Sequence, residues 1–117
     1  MKNIQAIALA AIFASAWILS ACSASAEITQ IPKNALIVDV RTTGEYASGH
    51  YPGAVNIPLD SVEARLAEFG DKNSPVVVYC RSGRRSGIAK DILTKAGFTQ
   101  VYNGGGLSHM KTLKAAP

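Results

Sequence analysis

The chain has 117 residues, a length that fits one domain and excludes a multi-domain enzyme. Apolar residues make up 48% of the chain and charged residues 17%, which excludes a chain too polar to bury a core. The mean hydropathy of +0.14 is higher than a soluble domain usually has. We therefore expect part of the chain to be directed to a membrane or removed.

The first predicted element is an export signal. Lys2 is followed by an apolar stretch with no acidic or basic residue before Glu27, a signal-peptide pattern that is also long enough to span a bilayer. The sequence LSAC, ending at Cys22, resembles the lipobox of bacterial lipoproteins and predicts a signal over residues 1–21, whereas the A-x-A sequence before Glu27 predicts one over 1–26. We favour the lipobox. The protein is then exported to the periplasm, with a lipid on Cys22 as its only membrane attachment.

Residues 22–34 are predicted to form a polar tether and residues 35–117 the folded domain. Its strands are expected at residues 35–40, 54–56, 75–79 and 100–102. The runs ALIVDV and PVVVY are continuously apolar, as is typical of strands buried on both faces. Because strands alternate with helices, the sequence predicts an α/β fold, with a central parallel sheet flanked by helices on both faces.

Helical segments are expected between these strands. A short helix or turn is predicted at 42–48, and a longer helix begins at Asp60, a candidate N-cap with Glu63 three residues on. Its apolar face is expected to hold Val62, Leu66 and Phe69. A second long helix is predicted over 86–96, and its buried stripe is expected to hold Ile88, Ile92 and Ala96. The three glycines 104–106 do not form a nucleotide-binding motif, so they predict a tight turn before a last helical turn.

Cysteine usage points to one reactive group. The chain has two cysteines, and either cleavage removes or blocks Cys22, which leaves Cys80 without a partner for an internal disulfide. Cys80 lies between a predicted buried strand and a predicted helix, where ligands bind in open α/β sheets. The free N–H groups at the start of a helix stabilise an anion or a thiolate. The sequence therefore predicts a thiol with a lowered pKa and nucleophilic character.

The residues after Cys80 strengthen this prediction. Gly83 allows a positive φ, so that successive N–H groups can curl around an anion, and Ser86 is expected to cap the helix and to donate to the sulfur. Without Lys2 the chain keeps 11 basic and 8 acidic residues, and three arginines of this loop account for the whole excess: Arg81, Arg84 and Arg85. Concentrated charge of this kind favours a small anionic substrate and argues against a nucleic-acid partner.

The loop resembles the active-site loop of the rhodanese family of sulfurtransferases, C-x4-R followed by Ser or Thr, at Cys80, Arg85 and Ser86. The segment Asp39-Val40-Arg41 and the sequences EY, GH, PGA and NIP between residues 45 and 58 resemble the family's first signature. The sequence GF at 97–98, with Val101, Asn103 and GGL at 105–107, resembles its C-terminal one. The resemblance covers about residues 35–110 and is greatest to the small exported members of phage-shock protein E type. Met110 stands near the position where many members have tryptophan.

The resemblance implies sulfur transfer from thiosulfate, or a related persulfide donor, to a thiophilic acceptor such as cyanide or a thiol, through a persulfide on Cys80. It implies that Arg85 orients the loop and that Arg81 and Arg84 attract the anionic donor, within a substrate-binding loop that also includes Ser82, Gly83 and Ser86. We expect structural support beside the site from four further residues, Asp39, Arg41, Glu45 and His50. No cofactor or metal is expected, since His50, His109 and Cys80 lack the spacing of a zinc site. We expect a monomer.

Two other functions remain open from the residues alone. A cysteine phosphatase or arsenate reductase also places a thiolate in an anion-binding loop, but such loops typically have C-x5-R, and position 86 here is serine. In addition, Tyr79 stands where the phosphatases usually have histidine. A non-catalytic rhodanese-like module that binds a partner or senses redox state is the second alternative, and such modules tend to lose the cysteine.

Overall fold

A computed structural model describes residues 28–117, so the predicted signal and Cys22 lie outside the described residues. The described residues form six strands: β1 (Gln30–Ile31), β2 (Leu36–Asp39), β3 (Val55–Asn56), β4 (Val76–Cys80), β5 (Val101–Gly106) and β6 (Lys114–Ala115). In the same part of the chain there are three α-helices: α1 (Thr43–Ala47), α2 (Arg84–Lys95) and α3 (Leu107–Met110). Two 3-10 segments, Leu59–Ser61 and Glu63–Phe69, follow β3. Within 28–117, no helix has the length and apolarity needed to cross a bilayer.

Four strands form a parallel sheet in the order β3-β2-β4-β5. Every residue of the central strand β4 is buried. Its side chains alternate between two clusters: Val78 packs with α2 and the 3-10 segments on one face, and Val77 packs with Met110 of α3 on the other. The predicted α/β fold with a parallel sheet covered on both faces is confirmed.

A second, two-stranded sheet was not expected from the sequence. Strand β1 pairs in parallel with β6, Gln30 opposite Lys114 and Ile31 opposite Ala115. Ile31 is buried and belongs to the same cluster as Met110. The described part of the predicted tether is therefore packed against the domain, because the apolar Ile31 side chain and a backbone ladder both hold it there.

The segment after β3 differs from the predicted α-helix. Two 3-10 segments replace it, with a non-helical residue, Arg65, inside the second. Asp60 lies within the first segment rather than at an N-cap, and neither segment has a side-chain cap. Val62 and Phe69 are nonetheless buried as expected. The spacing of apolar residues thus identified the buried side chains, while the kink at Arg65 changed the type of helix.

Helix α2 begins two residues earlier than predicted. Its N-cap is Gly83, with a φ of 100°, so the predicted positive φ is confirmed and the expected cap at Ser86 is wrong. The buried residues of the helix are Ser86, Ala89 and Leu93. Ile88, expected on the buried stripe, is 42% exposed. The earlier start places Ser86 in the first turn, where it faces inward.

The glycines 104–106 continue β5 instead of forming the predicted tight turn. A Cβ on Gly104 would lie 2.5 Å from Sδ of Met110 and 3.0 Å from Cγ1 of Val77. A Cβ on Gly106 would collide with the carbonyl oxygen of Arg81. Glycine is required at these two positions because other chain segments pack directly against the strand, and Met110 is fully buried beneath it.

Candidate active site

Cys80 is the last residue of β4, and the chain turns from it into α2. Its Sγ accepts a hydrogen bond from the Gly83 N–H at 3.0 Å, and it also contacts N and Oγ of Ser86 at 3.4 and 3.5 Å. The residue is 1% exposed. The left-handed conformation of Gly83 turns the backbone so that these N–H groups point toward the sulfur. The loop thus surrounds one sulfur atom with donors.

These contacts decide the ionisation of the thiol. Burial raises the pKa of Cys80, but the Ser86 hydroxyl and the N–H groups of Ser86, Ser82 and Gly83 outweigh it, so the pKa of Cys80 is lowered. Donors within hydrogen-bond range stabilise the thiolate more than the thiol. The lowered pKa agrees with the sequence-based expectation. The groups that lower the pKa of Cys80 most are these close hydrogen-bond donors and not the charges of the three arginines.

Asn103 is a site residue whose role the sequence analysis missed. It is buried on β5, and its Oδ1 accepts a hydrogen bond from Oγ of Ser86 at 2.7 Å and another from the N–H of Gly105 at 2.8 Å. Its Nδ2 donates to the carbonyl oxygen of Gly83 at 3.1 Å. Asn103 therefore fixes both the glycine and the serine that contact the sulfur. The feature of the sequence that could have identified Asn103 was its amide side chain within the C-terminal signature, directly after a predicted strand.

Arg85 does not contact the sulfur but forms an ion pair across to α1. Its Nη1 and Nη2 donate to Oε1 and Oε2 of Glu45 at 2.8 and 3.1 Å. Glu45 also forms a capping box with Thr42. The hydrogen bond from Arg85 and then that from the Thr42 N–H lower the pKa of Glu45 from 4.5 to about 2. The pair joins the start of α2 to α1.

The other two arginines lie on different sides of the loop. Arg81 is exposed and lines a groove of about 370 Å³ between α1 and α3. Arg84 is exposed and lines a cavity of about 460 Å³ along α2, together with Ile88 and Asp91. The sequence suggested three arginines around one thiol. In the structure one is neutralised by Glu45, and the other two extend the positive charge outward in two directions.

A buried ion pair supports the neighbouring loop. Asp39 is fully buried and accepts hydrogen bonds from Nε and Nη2 of Arg41 at 2.9 and 2.7 Å, and from Tyr79 Oη at 2.8 Å. Arg41 also donates to the carbonyl oxygen of Gly49 at 2.7 Å. His50 stacks on the ring of Tyr46 with centroids 3.6 Å apart. These contacts hold the loop after β2 together, and the role of these residues in supporting the site stays a prediction.

The described residues include no group of three or more His, Cys, Asp or Glu side chains placed to bind a metal ion. His50 and His109 instead bond to carbonyl oxygens, those of Tyr46 and Ile28, at 2.9 Å in each case.

Known proteins share this chain's sequence and fold. A family model for the rhodanese-like domain matches residues 24–109. The thiosulfate sulfurtransferase PspE of Escherichia coli (strain K12) is 51% identical over 71 residues, which are 60% of this chain and 68% of that protein. A sulfurtransferase of Allochromatium vinosum is 39% identical over 71 residues, 61% of this chain and 65% of that protein. The chain thus spans about two thirds of the length of these relatives.

Solved structures agree with the sequence matches. A structure described as a rhodanese with anions from E. coli superimposes with a TM-score of 0.61 at 48% identity, and the match covers 63% of this chain and 88% of that one. Since the family model matches most of the length of this chain, the chain belongs to the rhodanese-like domain family.

Proposed function

We propose that the protein is a thiosulfate sulfurtransferase with Cys80 as its nucleophile. The observation that carries this proposal is the position of Sγ, buried at the end of β4 and surrounded by N–H and O–H donors within 3.5 Å. Membership of the rhodanese-like family supports it, as do the names of the Escherichia coli and Allochromatium vinosum relatives. A thiolate held in this way is a nucleophile matched to a small, soft sulfur electrophile.

The reaction proceeds in two displacements. The Cys80 thiolate attacks the outer sulfur of thiosulfate, a new S–S bond forms, and the bond to the sulfonate sulfur breaks, so that sulfite leaves with the electron pair. Cys80 then carries a persulfide. A thiophilic acceptor such as cyanide or a thiolate attacks the outer sulfur, and Cys80 leaves as a thiolate. The donors around Sγ stabilise the anionic sulfur in both steps.

The remaining loop residues take distinct roles in this proposal. Ser82, Gly83 and Ser86 supply donors to the sulfur. Arg85 holds the start of α2 in place through Glu45, so it acts as a positioning residue. Arg81 and Arg84, both exposed at the loop, attract the anionic donor from solvent. Asp39, Arg41 and His50 keep the neighbouring loop in position.

The test is intact-mass spectrometry after incubation with thiosulfate. The wild-type protein should gain the mass of one sulfur atom, and Cys80→Ala should gain none. Turnover is measured in parallel as thiocyanate formed from thiosulfate and cyanide, and Cys80→Ala should lose it. A wild-type protein without the adduct would contradict the persulfide mechanism and favour a non-catalytic module. Hydrolysis of p-nitrophenyl phosphate without thiocyanate formation would favour the phosphatase or arsenate reductase alternative.

Export to the periplasm and a monomeric state are further proposals. The support for export is the apolar segment after Lys2 and the LSAC sequence ending at Cys22. Mass spectrometry of the mature N-terminus tests it: a lipidated Cys22 agrees with cleavage after residue 21, and a free Glu27 would contradict lipidation. Sedimentation equilibrium tests the monomer, for which a dependence of mass on protein concentration would be contrary evidence.

A further inference from the structure

The side chain of Asn103 leaves β5 at an irregular part of the strand. Asn103 pairs with Val78 of β4, and Gly106 pairs with Cys80, so β5 advances three residues while β4 advances two. The irregular part includes Gly105, whose φ is 79°. Bulges of this kind re-aim side chains beside active sites. Here the amide of Asn103 is brought into contact with the first turn of α2.

The orientation of the Asn103 amide is fixed by two partners that each have only one role. The backbone N–H of Gly105 can only donate, and it lies 2.8 Å from Oδ1. The carbonyl oxygen of Gly83 can only accept, and it lies 3.1 Å from Nδ2. Oδ1 therefore faces Ser86. Because Oδ1 carries no hydrogen, the 2.7 Å hydrogen bond between the two side chains is donated by the Ser86 hydroxyl.

The Ser86 hydroxyl has a single proton and two acceptors within reach. Its Oγ is 2.7 Å from Oδ1 of Asn103 and 3.5 Å from Sγ of Cys80. While the proton is donated to Asn103, only the lone pairs of Oγ face the sulfur. Those lone pairs suit a neutral thiol, which donates its S–H, but they repel a thiolate. The hydroxyl therefore has a different preferred partner in each ionisation state of Cys80.

Neither acceptor loses all its hydrogen bonds when the hydroxyl turns away from it. Oδ1 of Asn103 keeps the N–H of Gly105. Sγ of Cys80 keeps the N–H groups of Gly83 and Ser86, at 3.0 and 3.4 Å. Cys80, Ser86 and Asn103 are all buried, and an unsatisfied buried polar group is costly. The remaining bonds avoid that cost in both positions of the hydroxyl.

We propose that the Ser86 hydroxyl changes partner with the charge on Sγ, and that Asn103 is the positioning residue that accepts the hydroxyl when the sulfur is uncharged. This inference rests on the proposed sulfurtransferase function. In the first displacement an electron pair of Sγ enters the new S–S bond, and the hydroxyl turns from Sγ to Oδ1. In the second displacement the S–S bond breaks, its electron pair returns to Sγ, and the hydroxyl turns back. The O–H bond stays intact, so no proton is transferred.

The charged groups around Cys80 form ion pairs with one another. Arg85 at the start of α2 interacts with the charge on Cys80 and is bonded to Glu45 of α1. This bond lowers the pKa of Glu45 to about 2 and raises that of Arg85, so both keep their charges while a thiol ionises. Asp39 and Arg41 are bonded to each other beside β4. Two further arginines of the loop are exposed and remain protonated: Arg81 and Arg84.

The test follows the side-chain amide of Asn103 by NMR in the labelled full chain, as the pH is raised from about 5 to about 10. The rate of alkylation by iodoacetamide in the same buffers gives the pKa of Cys80. The ¹³C resonance of the Asn103 carboxamide should move with that same midpoint, because Oδ1 loses the Ser86 hydrogen bond when the thiolate forms. In Ser86→Ala and in Cys80→Ala this movement should be lost.

Asn56 is the matched control within the same spectra. It is a second carboxamide at this edge of the sheet, and its Nδ2 donates to the carbonyl oxygens of Asp39 and Arg41. Its ¹³C resonance should not follow the ionisation of Cys80. A movement caused by another titrating group, such as His109 of α3, would persist in Cys80→Ala and is identified in that way.

Two results of the titration would overturn the proposal. One is an Asn103 resonance that does not respond when Cys80 ionises. The other is a response of equal size in the wild-type protein and in Ser86→Ala, which would show that the charge acts on the amide without the hydroxyl. The sulfur adduct on Cys80 tests the proposed function separately. A resonance that follows Cys80 in a protein without the adduct would support the hydroxyl movement and reject sulfur transfer.

Asn103→Asp tests the same proposal by turnover. A protonated carboxyl group at this position accepts from Ser86 and donates to Gly83 as the amide does, whereas a carboxylate holds the Ser86 proton more strongly. The ratio of its thiocyanate formation to that of the wild type should be near one in acid and fall at least about tenfold as the carboxyl group ionises. A ratio independent of pH would count against the proposal. Circular dichroism checks the fold, and if the variant does not fold, the titration of the wild-type amide decides.

Discussion

Two loops at the same edge of the sheet use charge in opposite ways. The loop after β2 pairs its charge with the sheet: Arg41 of this loop and Tyr79 of β4 both donate to Asp39 at the end of β2, and all three are at least nine-tenths buried. The loop after β4 points its donors at a single sulfur, which is charged only when Cys80 is ionised. One loop therefore contributes stability, and its neighbour provides a reactive group.

The comparison shows how a domain this small keeps a thiolate in position. Tyr79 precedes Cys80 on β4 and donates to Asp39, while Arg85 follows Cys80 and binds Glu45. The loop around the sulfur is thus tied on one side to the end of β2 and on the other to α1. These two ties hold the framework, so the N–H donors of the second loop are left to contact the sulfur.

The largest expected effect is on stability, from Asp39→Ala. Removal of the carboxylate leaves the Arg41 charge buried without its partner and deprives Tyr79 of an acceptor, so we expect a loss of about 3–5 kcal/mol. Urea denaturation measures it. The control Asp60→Ala removes an exposed carboxylate and should change stability by less than about 0.5 kcal/mol. Equal losses of stability in Asp39→Ala and Asp60→Ala would show that the buried charge pair does not stabilise the fold more than an exposed carboxylate does.

Arg85→Ala should lower the turnover of thiosulfate about tenfold while the fold persists, because small displacements of the N–H groups around a reactive atom are costly. The variant frees the start of α2 from Glu45. Thiocyanate formation gives the rate, and circular dichroism checks the fold. Arg65→Ala, which breaks the exposed pair with Glu68, is the matched control and should retain its rate. Wild-type turnover in Arg85→Ala would show that the ion pair does not position the loop.

Ser86→Ala tests the donors of the second loop directly. Loss of the hydroxyl removes its 3.5 Å contact with Sγ and its 2.7 Å hydrogen bond to Oδ1 of Asn103. Because this hydroxyl is among the groups that lower the pKa of Cys80, that pKa should rise and turnover at neutral pH should fall about fivefold. The rate should recover as the pH is raised through the new pKa. The pH dependence of alkylation by iodoacetamide measures the shift, with the exposed Ser74→Ala as control. A pH profile identical to the wild type would exclude this role for the hydroxyl.

The smallest expected effect comes from the ion pair between the loops. The pKa of Glu45 is about 2 in the folded protein against 4.5 ordinarily, so the pair stabilises the fold above pH 4.5 and this contribution disappears as the pH falls toward 2. Glu45→Gln should cost less than about 1 kcal/mol at neutral pH, and the difference from wild type should vanish in acid. Glu68→Gln removes a more exposed ion pair and should lower the stability at neutral pH by a smaller amount. A difference that grows in acid would contradict the assignment.

The sequence was informative where residue chemistry and backbone requirements coincide. Cys80 at the end of an apolar run and Gly83 with a positive φ followed from local rules, and both lie where they were expected. Apolar spacing also identified Val62 and Phe69 as buried. It could not distinguish an α-helix from two 3-10 segments, since the kink at Arg65 keeps the same residues against the sheet.

Long-range contacts account for the remaining differences. The start of α2 at Arg84 depends on Gly83, whose carbonyl oxygen accepts a hydrogen bond from Asn103, 20 residues along the chain. This shift turns Ala89 inward and leaves Ile88 exposed, although Ile88 is the more hydrophobic of the two. The pairing of β1 with β6 joins residues more than 80 positions apart, which no local pattern reveals.

The burial of Cys80 also limits how the protein can be oxidised. A disulfide requires its two Cα atoms to lie within about 7 Å, and a thiol that is 1% exposed behind its own loop cannot approach its counterpart in a second molecule so closely. The same loop that activates the sulfur therefore protects Cys80 from forming a disulfide with Cys80 of a second copy.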